Sequence, residues 1–294
     1  KNRRNDMGFF SNQLSNVVEW EQFRDDMIFW KWDNKEIKKG SKLIEIGEKL
    51  SHVHIGIIAS MGYEKVKVIR RPKVALISTG DEVICGGKPL TEGKIYDSNR
   101  RMIASRLEEL GCEVVVAEVM GDDENLIANE IKEIIKNVDV VFTTGGVSVG
   151  KKDIMHQVIK ILDAKRVFWR VNMKPGTPAI YALYENKPLL CLSGNPFAAI
   201  ATFELMGKQL LYKLGQDPDL KEVRKEAVLQ DEFLKESRGR RLIRATYDEG
   251  KVYLLKGGHS SGMLGSMIGC NCLIDIKPGT PKLDKGEKVQ VVLL

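Results

Sequence analysis

The chain has 294 residues, of which 43% are hydrophobic and 29% are charged, and this ordinary globular composition excludes a disordered, collagen-like or disulfide-stapled chain. At roughly 100 to 200 residues per domain, the length predicts two compact units with a fragment of a third. The 46 basic and 40 acidic side chains give a net charge of +6, and the basic residues are scattered, so nucleic acid is not an expected partner.

The sequence indicates neither a membrane span nor a signal peptide, and it indicates neither disulfides nor a zinc site. No apolar stretch approaches the roughly 18 residues of a membrane span, and the opening KNRRNDMGFF lacks the apolar core of a signal peptide. A cytoplasmic protein without a membrane partner is expected. The five cysteines form an odd set without C-x-x-C spacing, so reduced, packed thiols are predicted rather than disulfides or a zinc site.

Between residues 73 and 214 the sequence alternates apolar, β-rich runs with amphipathic segments of helical length. The predicted strands are 73–79, 112–119, 138–143 and 166–171, and their continuous apolar character is typical of strands covered on both faces. This alternation predicts an α/β fold with a three-layer, mostly parallel sheet.

The helices of this region have recognisable ends. Ser98 is placed to cap a helix that Gly111 ends, a second helix is expected to begin near Asn125, and a third runs from about residue 199 to residue 214. The apolar positions at helical spacing are Ile103, Leu107 and Leu110 in the first helix and Leu126, Ile127, Ile131 and Ile134 in the second.

The rest of the chain divides around this α/β region. A strand and a short helix are predicted within residues 41–62, and short strands are predicted within 225–234, 240–248, 251–257, 272–279 and 287–294. The predicted domains are a partial N-terminal linker and β region at 1–71, an α/β domain at 72–217 and a small C-terminal β domain at 218–294.

Two acidic turns follow predicted strands, at the edge where ligands bind in open α/β sheets. In residues 78–82 (STGDE), a glycine permits close backbone approach and the adjacent carboxylates can hold a metal ion or a water molecule. A solvated acidic turn is the alternative. In residues 121–124 (GDDE), capping of the following helix is by itself a sufficient explanation.

Residues 143–153 (TTGGVSVGKKD) form a glycine-rich turn between a buried strand and a helix. Such a turn can hold phosphate with backbone N–H groups. Its spacing matches the G-x-x-x-x-G-K pattern of P-loop nucleotidases, but Lys152 stands where that pattern has the Ser or Thr that binds magnesium. An ordinary nucleoside triphosphatase is therefore not expected.

Two further turns can bind an anion. Residues 174–178 (KPGTP) supply a lysine charge, and residues 193–196 (SGNP) precede a helix whose N-terminus attracts anions. The alternative in both places is an ordinary turn, and the second KPGTP at 277–281 is interpreted as a turn. The histidines are too scattered to predict a metal site or a catalytic triad: His52, His54, His156 and His259.

Taken together and in this order, these turns resemble the molybdopterin molybdenumtransferase (MoeA) family, which includes the gephyrin E domain and plant homologues. The strings STGDE, IYDSN, GDD, TTGGVSVGKKD, KPGTP and SGNP carry the resemblance, which covers residues 40–294. It implies a molybdopterin-binding α/β core similar to the adenylyltransferase of the preceding step (MogA-like), with a small C-terminal β domain.

The resemblance implies an enzyme of molybdenum cofactor biosynthesis. Such an enzyme inserts molybdate into adenylylated molybdopterin and releases AMP in a magnesium-dependent step. The two substrates are then molybdate and adenylylated molybdopterin, and Mg²⁺ is the cofactor. By the same resemblance, Glu82, Asp123 and Asp153 are the catalytic and metal-binding carboxylates.

The resemblance also implies where the substrates bind. Molybdate is expected at Lys174 and Pro175, with Arg240 and Ser261 reaching over from the β domain. The full set of implied substrate-binding residues is Thr79, Gly80, Asp81, Gly145, Gly146, Ser148, Lys174, Pro175, Gly176, Ser193, Gly194, Asn195, Pro196, Arg240 and Ser261.

Two departures from the family pattern bear on activity. Ser193 stands where many members have proline, and this sequence contains neither the family's additional elongated domain nor its S-x-x-D-G-Y-A segment. A non-catalytic module that binds molybdopterin or acts as a scaffold is therefore the alternative function. The partners that the resemblance implies are the molybdopterin adenylyltransferase, in a transient contact, and a second copy of the chain in a homodimer.

Overall fold

The computed structural model describes residues 28–29, 40–45, 47–60, 62–147, 154–257 and 260–294. Several predicted site features lie outside these residues, namely Ser148, the Gly150-Lys151-Lys152 end of the glycine-rich turn, and Asp153. The described residues form two compact units. The first contains the described residues up to Arg71 together with Leu211–Leu220, and the second contains Pro72–Leu210 and Lys221–Leu294. The domain boundaries at 71/72 and 217/218 stay a prediction.

The first unit contains a short antiparallel pair, β1 (Ile28–Phe29) with β2 (Lys42–Ile44), and helix α1 (His52–Ser60). The first turn of α1 is closed by Ser51, whose backbone N–H donates to His54 Nδ1 at 2.9 Å. The strand and short helix predicted within residues 41–62 are therefore confirmed.

The second unit is built on a mostly parallel sheet, as predicted. Its strands are β3 (Lys73–Thr79), β6 (Glu113–Met120), β7 (Val140–Thr144), β8 (Lys165–Trp169), β10 (Ile180–Tyr184) and β11 (Lys187–Leu192). Their described order in the sheet is β6-β3-β7-β11-β10-β8, where β6, β3, β7 and β11 are parallel and β10 is antiparallel to both neighbours. Two short strands outside this sheet, β4 (Val83–Ile84) and β5 (Ile95–Tyr96), pair in parallel.

The prediction that residues 166–171 form a strand covered on both faces is wrong. The strand there, β8, lies at one edge of the sheet, and Val167 is 51% exposed. The strand predicted at 112–119 is β6 at the opposite edge, where Val115 is 42% exposed. Both runs are apolar, but an edge strand has only one neighbour and receives less cover from the flanking helices.

The helices lie where the alternation predicts them. They are α2 (Asn99–Glu109), α3 (Glu124–Ile134), α4 (Ile154–Ile161), α5 (Pro196–Thr202) and α6 (Lys208–Gly215), and a π-helical turn (Phe203–Gly207) joins the last two. Ile127 and Ile131 of α3 are fully buried in one core cluster with Ile77 and Val141 of the sheet. The core therefore lies between the sheet and the apolar faces of its helices.

Two details of these helices differ from the prediction. Leu126 is 60% exposed, because it lies on the face of α3 turned away from buried Ile127 and Ile131. The side chain of Ser98 makes no capping hydrogen bond to the described residues. The carboxylate of Asp97 takes that role, since its Oδ1 accepts from the Arg100 backbone N–H at 3.0 Å.

The C-terminal strands form a small β domain, as predicted. They are β12 (Val223–Leu229), β13 (Arg240–Asp248), β14 (Lys251–Leu254), β15 (Cys272–Ile276) and β16 (Lys288–Leu293). Their order is β14-β12-β16-β15-β13, and a further pairing of β13 with β14 closes the described sheet into a barrel. Strand β9 (Met173–Lys174) adds to β13 in parallel and so brings the first KPGTP turn to the barrel.

The five cysteines are thiols that form no disulfide, and burial raises the pKa of Cys272 to about 12. The KPGTP string at 277–281 is a turn in which Thr280 Oγ1 donates to the Lys277 carbonyl at 2.8 Å, as interpreted. Among the residues that the structure describes, no helix has the length and apolar character that crossing a bilayer requires.

Candidate functional site

A cavity of about 450 Å³ opens at the carboxyl ends of the parallel strands β3, β7 and β11, and we call it the strand-end cavity. This is the edge at which open α/β sheets bind ligands. The residues that line it are Ser78, Thr79, Gly80, Glu82, Val83, Ile95, Tyr96, Asp97, Ser98, Asn99, Asp122, Thr144, Gly145, Gly146, Val147, Pro178, Ser193, Gly194, Asn195 and Pro196. Most of the predicted site residues that follow β3, β7 and β11 are therefore brought together.

Gly145 and Gly146 form a turn that only glycine can adopt here. Their φ angles are +95° and +62°. A Cβ atom on Gly145 would lie 2.2 Å from the Thr79 carbonyl oxygen, and one on Gly146 would lie 2.4 Å from Ile154 Cγ2. The Gly145 N–H donates to the Leu192 carbonyl at 3.1 Å. Gly145 therefore shapes the wall of the cavity by close backbone approach.

A buried hydrogen-bonded network forms the floor of the strand-end cavity. Asp97, whose side chain is 1% exposed, pairs with Arg100 through Oδ2 and Nε at 2.7 Å. Ser78 Oγ donates to Asp97 Oδ1 at 3.3 Å, and Thr144 Oγ1 donates to Ser78 Oγ at 3.2 Å. These contacts fix the strand ends relative to the start of α2. Asp97 is not among the site residues predicted from the sequence, although the string IYDSN contains it.

The acidic rim differs from the arrangement that the resemblance implies. Glu82 and Asp122 line the cavity, whereas Asp81 and Asp123 are not among its lining residues. Asp81 Oδ1 accepts from the Asp122 backbone N–H at 2.9 Å. Asp123 Oδ1 accepts from the N–H groups of Asn125 and Leu126, both at 2.9 Å, so the capping interpretation of Asp123 is confirmed.

The described part of the chain contains no group of three or more His, Cys, Asp and Glu side chains that could hold a metal ion. A Mg²⁺ ion bound here would therefore take at most two carboxylates from the described residues and would complete its coordination with other ligands. Mg²⁺ commonly binds one or two carboxylates together with substrate phosphates. Glu82 and Asp122 fit that kind of site.

The SGNP turn connects the cavity to the barrel. All four residues line the cavity, and the Asn195 N–H donates to Ser193 Oγ at 3.3 Å. The Phe197 N–H, in the first turn of α5, donates to the Ser261 carbonyl at 2.9 Å. Ser261 therefore approaches from the β domain, as the resemblance implies, although it is not among the lining residues.

The other residues that the resemblance assigns to molybdate lie along the junction of β9 and β13. Met173 pairs with Arg240 and Lys174 pairs with Arg241 in parallel register, so Lys174 shares its face of the sheet with Arg241 rather than with Arg240. Lys174 is exposed, and none of Lys174, Pro175, Gly176 and Arg240 lines the strand-end cavity. Gly176 is closely packed, because a Cβ atom there would lie 2.3 Å from Thr202 Oγ1.

Arg244 is a buried arginine that is not among the site residues predicted from the sequence. It is 1% exposed, and its guanidinium carbon lies 4.2 Å from the centroid of the Phe197 ring. Its Nη1 and Nη2 donate to the carbonyls of Met263 and Ser260 at 2.7 and 3.1 Å. Burial lowers the pKa of Arg244 from its usual value. Arg244 thus holds the loop that carries Ser261 against the start of α5.

Arg240 is held by an ion pair on the barrel. Its Nε and Nη2 donate to Asp275 Oδ1 and Oδ2, both at 2.8 Å, and Arg224 Nη1 donates to the same carboxylate at 2.6 Å. Burial alone would raise the pKa of Asp275. The hydrogen bonds from Arg240 and Arg224 outweigh burial and hold this pKa below its ordinary value of 3.8.

We expect this ion pair to stabilise the fold only above acid pH. Because the folded-state pKa of Asp275 is depressed, the stabilisation is complete above the unfolded-state pKa and is lost as the pH falls through the folded-state pKa. Asp275→Asn should therefore lower the Tm at neutral pH, and the Tm difference from the parent should shrink below about pH 4. Thermal unfolding followed by circular dichroism over a pH series tests this. A difference that stays constant into strong acid would contradict it.

Comparison with known families identifies both halves of the large unit. Residues 75–213 match the model described as "probable molybdopterin binding domain", and residues 226–294 match the "MoeA C-terminal region (domain IV)". The molybdopterin molybdenumtransferase of Staphylococcus aureus (strain COL) is 32% identical over 262 residues, which cover 88% of this chain and 62% of that protein. The Haemophilus influenzae enzyme is 31% identical, with coverage of 87% and 65%.

Solved structures agree with these matches. Two structures of the MoeA molybdopterin biosynthesis protein of Pyrococcus horikoshii have TM-scores of 0.76 and 0.71 at 30% and 27% identity, and cover 87% and 88% of this chain and 63% of those chains. The chain thus spans less than two thirds of the length of these relatives. Its two domain matches, its relatives and its structural neighbours show that the chain belongs to the molybdopterin molybdenumtransferase (MoeA) family.

Proposed function

We propose that the chain binds adenylylated molybdopterin in the strand-end cavity, inserts molybdate into it and releases AMP. One observation carries this proposal. Gly145 and Gly146, the carboxylates of Glu82 and Asp122, and the SGNP turn all line one cavity at the strand ends. In the insertion step, one molybdate oxygen leaves as water with the two dithiolene thiol protons. In the release step, water adds across the phosphoanhydride, which yields AMP and the pterin phosphate.

The carboxylates of the cavity suit a phosphoanhydride substrate. Glu82 and Asp122 line the cavity, and Asp153 remains a third proposed carboxylate outside the described residues. We propose Asp122 in place of Asp123 as the carboxylate that serves the substrate, because the Asp123 carboxylate caps α3. Mg²⁺, when bound with the substrate phosphates, would neutralise charge that develops during hydrolysis.

Molybdate is an oxyanion, so its binding requires cationic and neutral hydrogen-bond donors. We propose the exposed ammonium of Lys174 as the cation. Arg240 is engaged by Asp275 and pairs with Met173, the residue before Lys174, so we propose a weaker, supporting role for it. Arg244 fixes the loop that presents Ser261 near the SGNP turn. We propose two partners, a second copy of the chain in a homodimer and the molybdopterin adenylyltransferase in a transient contact. Direct transfer of adenylylated molybdopterin from the adenylyltransferase would protect this labile intermediate.

The test measures AMP release from adenylylated molybdopterin by this chain, with Mg²⁺ and with or without molybdate. We expect release that depends on molybdate and is lost in EDTA. A folded chain that binds the pterin without releasing AMP would instead support the non-catalytic binding or scaffolding module. An assay with ATP alone serves as a control, since turnover without pterin would indicate a nucleotidase.

A further inference from the structure

Asn99, in the string IYDSN, presents an unpartnered buried oxygen at the strand-end cavity. The residue is 7% exposed and lines the cavity. Its Nδ2 donates to the Gly194 carbonyl at 2.8 Å. Because a carbonyl can only accept, this bond fixes the orientation of the amide, and Oδ1 must face the other way. Oδ1 is buried and receives no hydrogen bond from any residue that the structure describes.

A buried amide oxygen without a donor is costly, and proteins almost always supply one. The neighbouring polar groups of the cavity floor have partners, since Ser78, Thr144 and Asp97 bond to one another. Another buried unpartnered oxygen nearby, Thr143 Oγ1, belongs to a residue that does not line the cavity. Asn99 is therefore the lining residue whose acceptor a bound molecule would satisfy.

We propose that Asn99 determines specificity by accepting a hydrogen bond from an N–H or O–H group of the bound substrate. This inference rests on the proposed function, because adenylylated molybdopterin carries such donors on its pterin ring and on the ribose of its AMP half. An oxygen that can only accept, such as a carbonyl or an ionised phosphate oxygen, would be rejected at this position.

The cavity wall beside Asn99 is apolar and suits a ring system. Ile95 and Tyr96 line the cavity and are 57% and 47% exposed. The Tyr96 hydroxyl donates to the Lys88 carbonyl at 2.8 Å, which holds the aromatic ring in place. A flat or ring-shaped substrate part can therefore contact this wall while its polar edge reaches the Asn99 oxygen.

Pairs of ligands that differ in one hydrogen-bond donor test the inference. If that donor bonds to Asn99, its removal should weaken binding to the parent chain but should not change binding to Asn99→Ala. The nucleotide arm compares AMP with 2′-deoxy-AMP and 3′-deoxy-AMP. The pterin arm compares pterin with lumazine, in which a carbonyl replaces the amino group. Calorimetry measures each Kd for the parent chain, for Asn99→Ala and for the control Thr143→Val, which removes the buried hydroxyl that does not line the cavity.

We expect the parent and Thr143→Val to bind the donor-bearing ligand about tenfold more tightly than its analogue in one arm. Asn99→Ala should abolish that difference, and the arm in which it does so identifies the pterin or the ribose as the donor. A merely structural role would weaken both ligands of a pair equally and leave their ratio unchanged. Unchanged ratios in both arms would overturn the inference even if AMP release is normal, whereas absence of all binding would overturn the proposed function as well.

Discussion

Gly145→Ala is expected to lower the free energy of unfolding by about 3 kcal/mol or more, since both backbone strain and overpacking oppose it. The φ of Gly145 is +95°, which L side chains rarely adopt. The added Cβ would also lie 2.2 Å from the carbonyl oxygen of Thr79, the last residue of β3, which pairs with Met120 of β6. That oxygen cannot move without displacing the end of β3. Urea unfolding of the parent and the variant measures the difference.

Two other glycines provide matched controls. Gly194 also lines the cavity, but a Cβ atom there would make only an ordinary contact of 3.5 Å, so Gly194→Ala should fold normally and weaken ligand binding. Gly86 has open space around it and does not line the cavity, so Gly86→Ala should change neither property. If Gly145→Ala were as stable as Gly86→Ala, the close approach of Gly145 to the Thr79 carbonyl oxygen would be contradicted.

The sheet could be predicted from the sequence because buried parallel strands are continuous apolar runs. The predicted and observed bounds of β3 agree at Lys73–Thr79. Apolar character does not report how many neighbours a strand has, however, and β8 looked like an interior strand although it lies at an edge. Helical periodicity is also less informative near the start of a helix. Leu126 fits the apolar spacing of α3, but it is exposed, whereas the next residue, Ile127, is buried.

The site could be located from the sequence, but the roles of adjacent polar residues could not be separated. Asp97 and Ser98 are both competent helix caps, and only the fold shows that Asp97 accepts the backbone N–H. Asp122 and Asp123 present the same ambiguity. Local sequence specifies which residue types lie at a strand end, whereas the direction of each side chain depends on how the turn leaves the strand.

Arg244 is buried although the alternation of β13 predicts that it is exposed. In β13, Ile243 and Ala245 face the barrel core, and alternation places Leu242 and Arg244 on the opposite face, where solvent is expected. Both are nevertheless 1% exposed, and Arg244 contacts Phe197 of α5. The sequence of β13 contains no signal for this second layer of cover, because the residues that supply it are distant in the chain.

Asp122→Asn is expected to lower AMP release by about 100-fold or more while the affinity for the pterin changes little, since it removes one carboxylate charge at the cavity and preserves size. Asp122 and Glu82 are the two acidic residues of the proposed site that line the cavity. The measurement is kcat for AMP release together with the Kd for molybdopterin. An Asp122→Asn variant with parental kcat would show that this carboxylate does not serve the reaction.

The adjacent residue supplies the matched control, because Asp123 has the same charge but a different partner. Its carboxylate accepts from two N–H groups at the start of α3, and serine at an N-cap position can accept in the same way. Asp123→Ser should therefore keep both the parental Tm and an AMP release within a few-fold of the parent. If instead Asp123→Ser folds normally and loses AMP release while Asp122→Asn retains it, the carboxylate implied by the family resemblance is the functional one. The α3 cap would then have to open when the substrate binds.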